Sequence, residues 1–144
     1  MWSAERYKKN KWKMIWKWIS RRVYLCKSVP WFCIKYATST PHWIWYNINE
    51  YIISEYQKYS HTEKMYPDVI DISPCWRYIL AELADKVDRV PSEIYKWHKS
   101  DLKAENFGII KWNIVKIDYW SLTPDCINLM LSKKKVKSWF NYKE

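Results

Sequence analysis

A single glycine, Gly108, serves all 144 residues of this chain. Tight turns and phosphate-cradling loops draw on glycine because it reaches positive φ without a steric penalty. Turns here must rest on Asn, Asp, Ser, Pro and Lys instead, and a glycine-rich loop is excluded. The same chain carries 12 Trp and 12 Tyr. That much apolar surface cannot stay wet, so a folded core is expected rather than disorder. At this length one domain, residues 1–144, is the expectation.

The net charge is +10, from 25 basic and 15 acidic side chains. Such a surface attracts polyanions: nucleic acid, ATP, acidic proteins or anionic lipid. Solubility alone would also account for it. The four cysteines form no C-x-x-C and the three histidines are scattered, so a structural zinc site is not expected. Lysines crowd the N-terminus where a signal peptide would be apolar, and no apolar run approaches membrane-spanning length. The expected setting is the cytoplasm, with free thiols and no membrane partner.

Residues 4–19, AERYKKNKWKMIWKWI, place Trp12, Ile15, Trp16 and Ile19 at helical spacing. A basic, aromatic helix is therefore expected within residues 1–20. Its lysines suit a membrane or nucleic-acid surface, but a helix packed on the domain with its lysines outward is the expected reading. Residues 22–37 read as two strands about a Lys27-Ser28-Val29-Pro30 turn. Val23 and Leu25, then Phe32, Ile34 and Tyr36, share period-two faces. Lys35 stands in the second strand among apolar neighbours, where a lysine either snorkels at an edge or is held for a purpose.

Residues 43–59 read as a helix opened by Thr40-Pro41, with Ile44, Ile48, Tyr51, Ile52, Glu55 and Tyr59 on one broad face and Glu50 on its flank. Residues 67–73 and 77–83 read as strands, and 91–100 as a short helix capped by Ser92. FGII and IVKID form a hairpin whose turn includes Trp112 and Asn113. Residues 121–144 form a basic tail with one helix around Cys126 to Leu131. The expected class is α+β with mainly antiparallel pairs.

Asp101, Leu102, Lys103 and Asn106 spell D-L-K-x-x-N, and Asp118 follows the hairpin. This resembles the catalytic core of the protein-kinase-like superfamily, where a D-L-K-x-x-N loop precedes the metal-binding Asp of D-F-G. The resemblance extends over roughly residues 20–120. WFCIKYA resembles the strand whose lysine grips the α/β-phosphates, which makes Lys35 that lysine. Glu50, in NINEY of the following helix, becomes its ion-pair partner ahead of Glu55. RYILAEL resembles the strand leading to the hinge, so Glu82, Leu83 and Ala84 would meet adenine. The implied fold is a minimal kinase-like one, an antiparallel N-lobe sheet with one helix and a truncated C-lobe.

Phosphoryl transfer asks a protein for positioning and charge neutralisation more than for covalent chemistry. The resemblance assigns Asp101 to orient the acceptor hydroxyl and take its proton, and Lys103 to neutralise the γ-phosphate. Asn106 and Asp118 would hold Mg²⁺ through oxygen ligands. ATP and Mg²⁺ are the implied cofactors.

The departures are as specific as the match. No G-x-G-x-x-G exists, so a phosphate lid is absent or built differently. Ser100 replaces the arginine that usually precedes the catalytic Asp, which removes a docking point for an activation-loop phosphate. His98 is displaced by one residue, and Tyr119 and Trp120 replace Phe and Gly after the metal Asp. Only 26 residues follow Asp118, too few for the A-P-E region and the helices that bind protein substrates. The match is nearer to the compact kinase-like proteins of bacteriophages, and heavy use of Lys, Ile, Asn and Tyr suits a phage or low-GC source.

Three functions stay open. The first is a minimal phosphotransferase acting on a host protein Ser/Thr or a small molecule. The second is a pseudokinase scaffold that binds and inhibits a partner protein; the missing glycines and substrate lobe favour it, and intact Lys35, Asp101, Asn106 and Asp118 oppose it. The third is a basic nucleic-acid-binding module, supported by interleaved Trp12, Trp16 and Trp18 but by no recognised signature. The basic, aromatic surface is also compatible with a homodimer.

Overall fold

The computed structural model describes residues 1–18, 20–38, 43–60, 64–87 and 107–117. Ser3 caps the first element, helix α1 (Ala4–Asn10), by accepting a hydrogen bond from the Arg6 N–H at 3.2 Å. Glu5 in its first turn and Lys8 and Lys9 in its last complement the helix dipole. The helix ends at Asn10, whose side-chain amide donates to the Arg6 carbonyl at 2.9 Å. The helix expected to reach Ile19 therefore stops early, and Lys11–Lys17 form strand β1 instead. The Lys-Trp alternation has period two as well as helical spacing, and Trp favours strands. Pairing with the next strand decides between them.

Strands β2 (Arg21–Cys26) and β3 (Phe32–Ala37) follow, then helix α2 (Ile44–Ser60), β4 (Val69–Ile72) and β5 (Tyr78–Glu82). They build a five-stranded antiparallel sheet in the order β1-β2-β3-β5-β4. In its register Val23 pairs with Lys35, and Lys35 in turn with Ile79. The mixed α+β class with mainly antiparallel pairing is thus observed.

Alternation along the strands separates two cores. On one face Val23, Cys33, Val69, Ile72, Ile79 and Ala81 pack with Ile48 and Tyr51 of α2. On the other, Cys26, Ile34, Tyr78 and Leu80 pack with Tyr7 of α1. Burying one aliphatic side chain such as Ile34 or Ile79 contributes about 1.5–3 kcal/mol. The Tyr7 ring stacks on Tyr78 with centroids 5.2 Å apart, and its hydroxyl donates to Asp71 at 2.6 Å.

The inward face of α2 differs from the expected one. Asn47, Glu50 and Ser54 are buried, whereas Ile52 is exposed. The helix turns a polar stripe toward the sheet because partners wait there. Ser54 Oγ accepts from the Val69 N–H at 2.8 Å, and Arg21 and Lys35 meet Asn47 and Glu50. Glu50 is therefore central to the packed face and not on its flank.

The chain divides into two compact units, one of Met1–Glu55 and Asp68–Leu83, the other of Tyr56–Pro67 and Ala84–Glu144. The first contains the five-stranded sheet. In the second, β6 (Asp85–Lys86), β7 (Phe107–Ile110) and β8 (Asn113–Lys116) form a small antiparallel sheet. Its hairpin turn is Lys111-Trp112, with Asn113 already in β8, one residue earlier than the sequence spacing implies.

The glycine shortage is met in an unusual way. Among the described residues, Trp76, Lys111 and Trp112 take positive φ, at 61°, 47° and 71°. Each such non-glycine residue costs about 1–2 kcal/mol. Gly108 has no positive φ and is needed for space: a Cβ there would stand 2.5 Å from the Ala84 Cβ and 2.9 Å from the Asp85 carbonyl oxygen. The lone glycine lets β6 approach β7. Among the described residues, no helix is long and apolar enough to cross a membrane.

Candidate functional site

Strand parity puts two cations on the α2 side of the sheet. Val23 pairs with Lys35, and Arg21 lies two residues along the same strand, so Arg21 and Lys35 are diagonal neighbours on one face. Glu50 enters between them from α2. Lys35 Nζ donates to Glu50 Oε2 at 2.8 Å, and Arg21 Nη2 pairs with Glu50 Oε1. Arg21 Nη1 also donates to Asn47 Oδ1 at 3.3 Å, and Asn47 Nδ2 donates to the Trp76 carbonyl at 2.9 Å. Asn47 and Glu50 are three residues apart, which aligns them on one helix face.

These charges are inside the protein. Arg21 is 0%, Glu50 1% and Lys35 3% exposed. Burial pushes the Glu50 carboxyl upward, but Arg21 and Lys35 together outweigh it and hold the group below the usual carboxylate range. Glu50 is therefore ionised at neutral pH. Removing one partner of a buried pair is strongly destabilising, because it leaves a charge without its counter-ion. Cys33 lies on the same strand two residues before Lys35, and burial pushes its thiol up to about 11. It is a packing residue, not a nucleophile, at neutral pH.

Trp18 closes the β1–β2 turn. Its N–H donates to the Arg21 carbonyl at 2.8 Å, and its ring centroid lies 5.6 Å from the Arg21 guanidinium carbon.

The residues expected to contact adenine sit as follows. The Glu82 N–H donates to the Asp68 carbonyl at 2.9 Å, and the Glu82 carboxylate accepts from the Asp68 N–H at 2.8 Å. The Leu83 N–H donates to the Trp31 carbonyl at 2.9 Å. A purine reading either N–H would have to displace those bonds. Ala84 begins the other compact unit, beside Gly108.

Asp101, Lys103, Asn106 and Asp118 lie outside the described residues, as do His98 and Ser100. Among the described residues no group of three or more His, Cys, Asp or Glu side chains could hold a metal ion. The structure thus brings Lys35 and Glu50 together and adds Arg21 and Asn47, which the sequence reading missed. The signal for Arg21 was present: in a hairpin pairing Val23 with Lys35, residue 21 must fall on the lysine's face. No family model matches the sequence, and no curated protein matches it.

Proposed function

We propose that this protein is a minimal ATP- and Mg²⁺-dependent phosphotransferase of the kinase-like kind. The observation that supports it most is the buried Lys35–Glu50 pair, formed between a central strand and the helix that follows it. A lysine held by a glutamate in this way is preset to receive phosphate oxygens, and burial strengthens its field. The order of parts adds support: lysine strand, glutamate helix, strand leading to Glu82, then a hairpin ending two residues before Asp118.

In this reading Lys35 binds the α/β-phosphates and Glu50 orients it. Asp101 positions the acceptor hydroxyl and takes its proton, and Lys103 faces the γ-phosphate. Mg²⁺ held by Asn106 and Asp118 would neutralise charge on the phosphates. Glu82, Leu83 and Ala84 would line the adenine end. The acceptor is a hydroxyl of a host protein Ser/Thr or of a small molecule, and the host cytoplasm is the setting.

A second reading, a pseudokinase scaffold that inhibits a partner protein, draws support from the β1–β2 turn. A closed turn carrying Trp18 offers no glycine backbone to wrap phosphates. Transfer of labelled phosphate from ATP separates the two. The phosphotransferase reading expects transfer that is lost in Asp101→Ala, and nucleotide-dependent stabilisation that is lost in Asp118→Ala. Stabilisation by nucleotide with no transfer to any acceptor would favour the scaffold.

A further inference from the structure

Positive charge is not spread evenly along this chain. Residues 1–38 carry ten Lys and Arg against one acid, Glu5, whereas the rest carries 15 against 14. Charge that served solubility alone would not need this segregation. Several of the cations have a use within the fold. Lys8 pairs with Glu5 at 3.2 Å, the Arg6 guanidinium carbon lies 4.1 Å from the Trp2 ring centroid, and Lys11 Nζ lies 4.8 Å from that of Tyr24. Lys17 and Arg22 are different. They stand directly opposite each other in the β1–β2 pairing, and both are exposed. Among the described residues they form no ion pair and no ring contact. Like charges directly opposite across two strands destabilise the pairing. Edge protection does not explain them. β1 is an edge strand, but two register irregularities already disrupt its ladder, and Arg22 is on the inner strand.

Beside this pair β1 exposes apolar side chains. Trp12 is 65% and Met14 47% exposed. A depression of about 350 Å³, lined by Met14, Ile15, Trp16 and Lys17, follows the strand. We propose that β1 and Arg22 form a binding surface for single-stranded nucleic acid, with Lys17 and Arg22 holding backbone phosphate and Trp12 stacking on a base. Trp12 and Lys17 are five residues apart, about 16 Å along the strand, which spans a few nucleotides. Cations and apolar groups alternate here, as phosphates and bases do along a nucleic-acid strand. Seating Trp12 and Met14 in hydrocarbon would carry Lys13 in with them, at a cost. Bases stacked inside a duplex offer Trp12 no free face. Arg22 follows Arg21 on β2 and so faces away from Glu50. The surface is separate from the proposed nucleotide site and does not depend on it.

The test is fluorescence anisotropy of a labelled oligothymidine strand of about 15 nucleotides. It is titrated with the 144-residue chain over a series of salt concentrations, with thermal melting as a check on folding. The wild type should bind saturably, and more tightly than it binds a duplex of the same length. Lys17→Ser/Arg22→Ser should bind at least tenfold more weakly, with a salt slope shallower by about 1.4, for two lost cations. It should melt no lower than the wild type, because the like-charge pair is gone. Trp12→Ala should bind at least fivefold more weakly with the salt slope unchanged, the signature of lost stacking. No binding by the wild type, or equal binding by the folded double variant, would overturn the proposal. Loss of the fold in the double variant would also overturn it, by making the pair structural. Equal affinity for strand and duplex, or Trp12→Ala that binds as the wild type does, would overturn it by reducing the surface to a general polyanion patch. Sedimentation with phosphatidylserine vesicles, without oligonucleotide binding, would replace it with a lipid surface. Each of these failures leaves the Lys35–Glu50 reading standing.

Discussion

On one face of the five-stranded sheet, Ile34, Tyr78 and Leu80 meet Tyr7 of α1; on the other, Lys35 of β3 and Arg21 of β2 meet Glu50 of α2. The first face is held by apolar burial and ring stacking. Its acidic group, Asp71, is only partly buried and accepts hydrogen bonds from the Tyr7 hydroxyl and the Trp2 N–H. The second face buries three ionised side chains completely or nearly so. Well-packed hydrophobic residues in their place would hold the helix as well or better. Apolar burial holds both faces, the α2 face through the cluster of Val23, Val69, Ile79 and Ile48, and so leaves the three buried charges of the α2 face without a structural motive. This is the physical reason for placing function on the α2 side.

The contrast can be broken by mutation. Glu50→Ala should have the largest effect, about 4 kcal/mol by urea unfolding, because two buried cations lose their shared counter-ion. The same residue sets acid sensitivity. Its folded carboxyl lies below the ordinary value of 4.5, so its contribution is whole above that pH and is lost as pH falls through the folded value. Glu50→Gln should flatten the fall in stability below about pH 4.5, read by unfolding at a series of pH values.

Next comes Ile34→Ala on the opposite face, at about 3 kcal/mol, from lost burial and the cavity left behind. It should leave nucleotide affinity unchanged, which separates the two faces by function and not by stability. Lys35→Met should cost less, about 1–2 kcal/mol, because Glu50 keeps Arg21 and Met fills the lysine's volume. A loss as large as that of Glu50→Ala would show that Arg21 does not carry the glutamate. Tyr7→Phe should be smallest, about 1 kcal/mol, for one hydrogen bond to Asp71.

Much of the first unit was legible because its signals are local. Period-two runs fixed β2 and β3 about the Lys27–Pro30 turn, and a 3.6-residue period fixed α2. The N-terminal segment misled because Trp12 and Trp16 fit both periods, and only pairing with β2 chooses the strand. The polar inward stripe of α2 was hidden for a related reason. Hydrophobic periodicity predicts burial of Ile52, yet the sheet offers cations, so Asn47 and Glu50 turn inward and Ile52 faces out. Of the proposed site, Lys35 and Glu50 were legible through a motif resemblance. Arg21 was not, because no motif includes it and only strand register brings it to the glutamate.

The central claim is that Lys35 is a phosphate-binding lysine held ready by Glu50. The most direct test is a Mg²⁺-ATP titration of the wild type and Lys35→Met, followed by tryptophan fluorescence at neutral pH. The account predicts saturable binding by the wild type and at least a tenfold weaker response from a folded Lys35→Met. Equal binding by the two proteins, or none by the wild type, would contradict it.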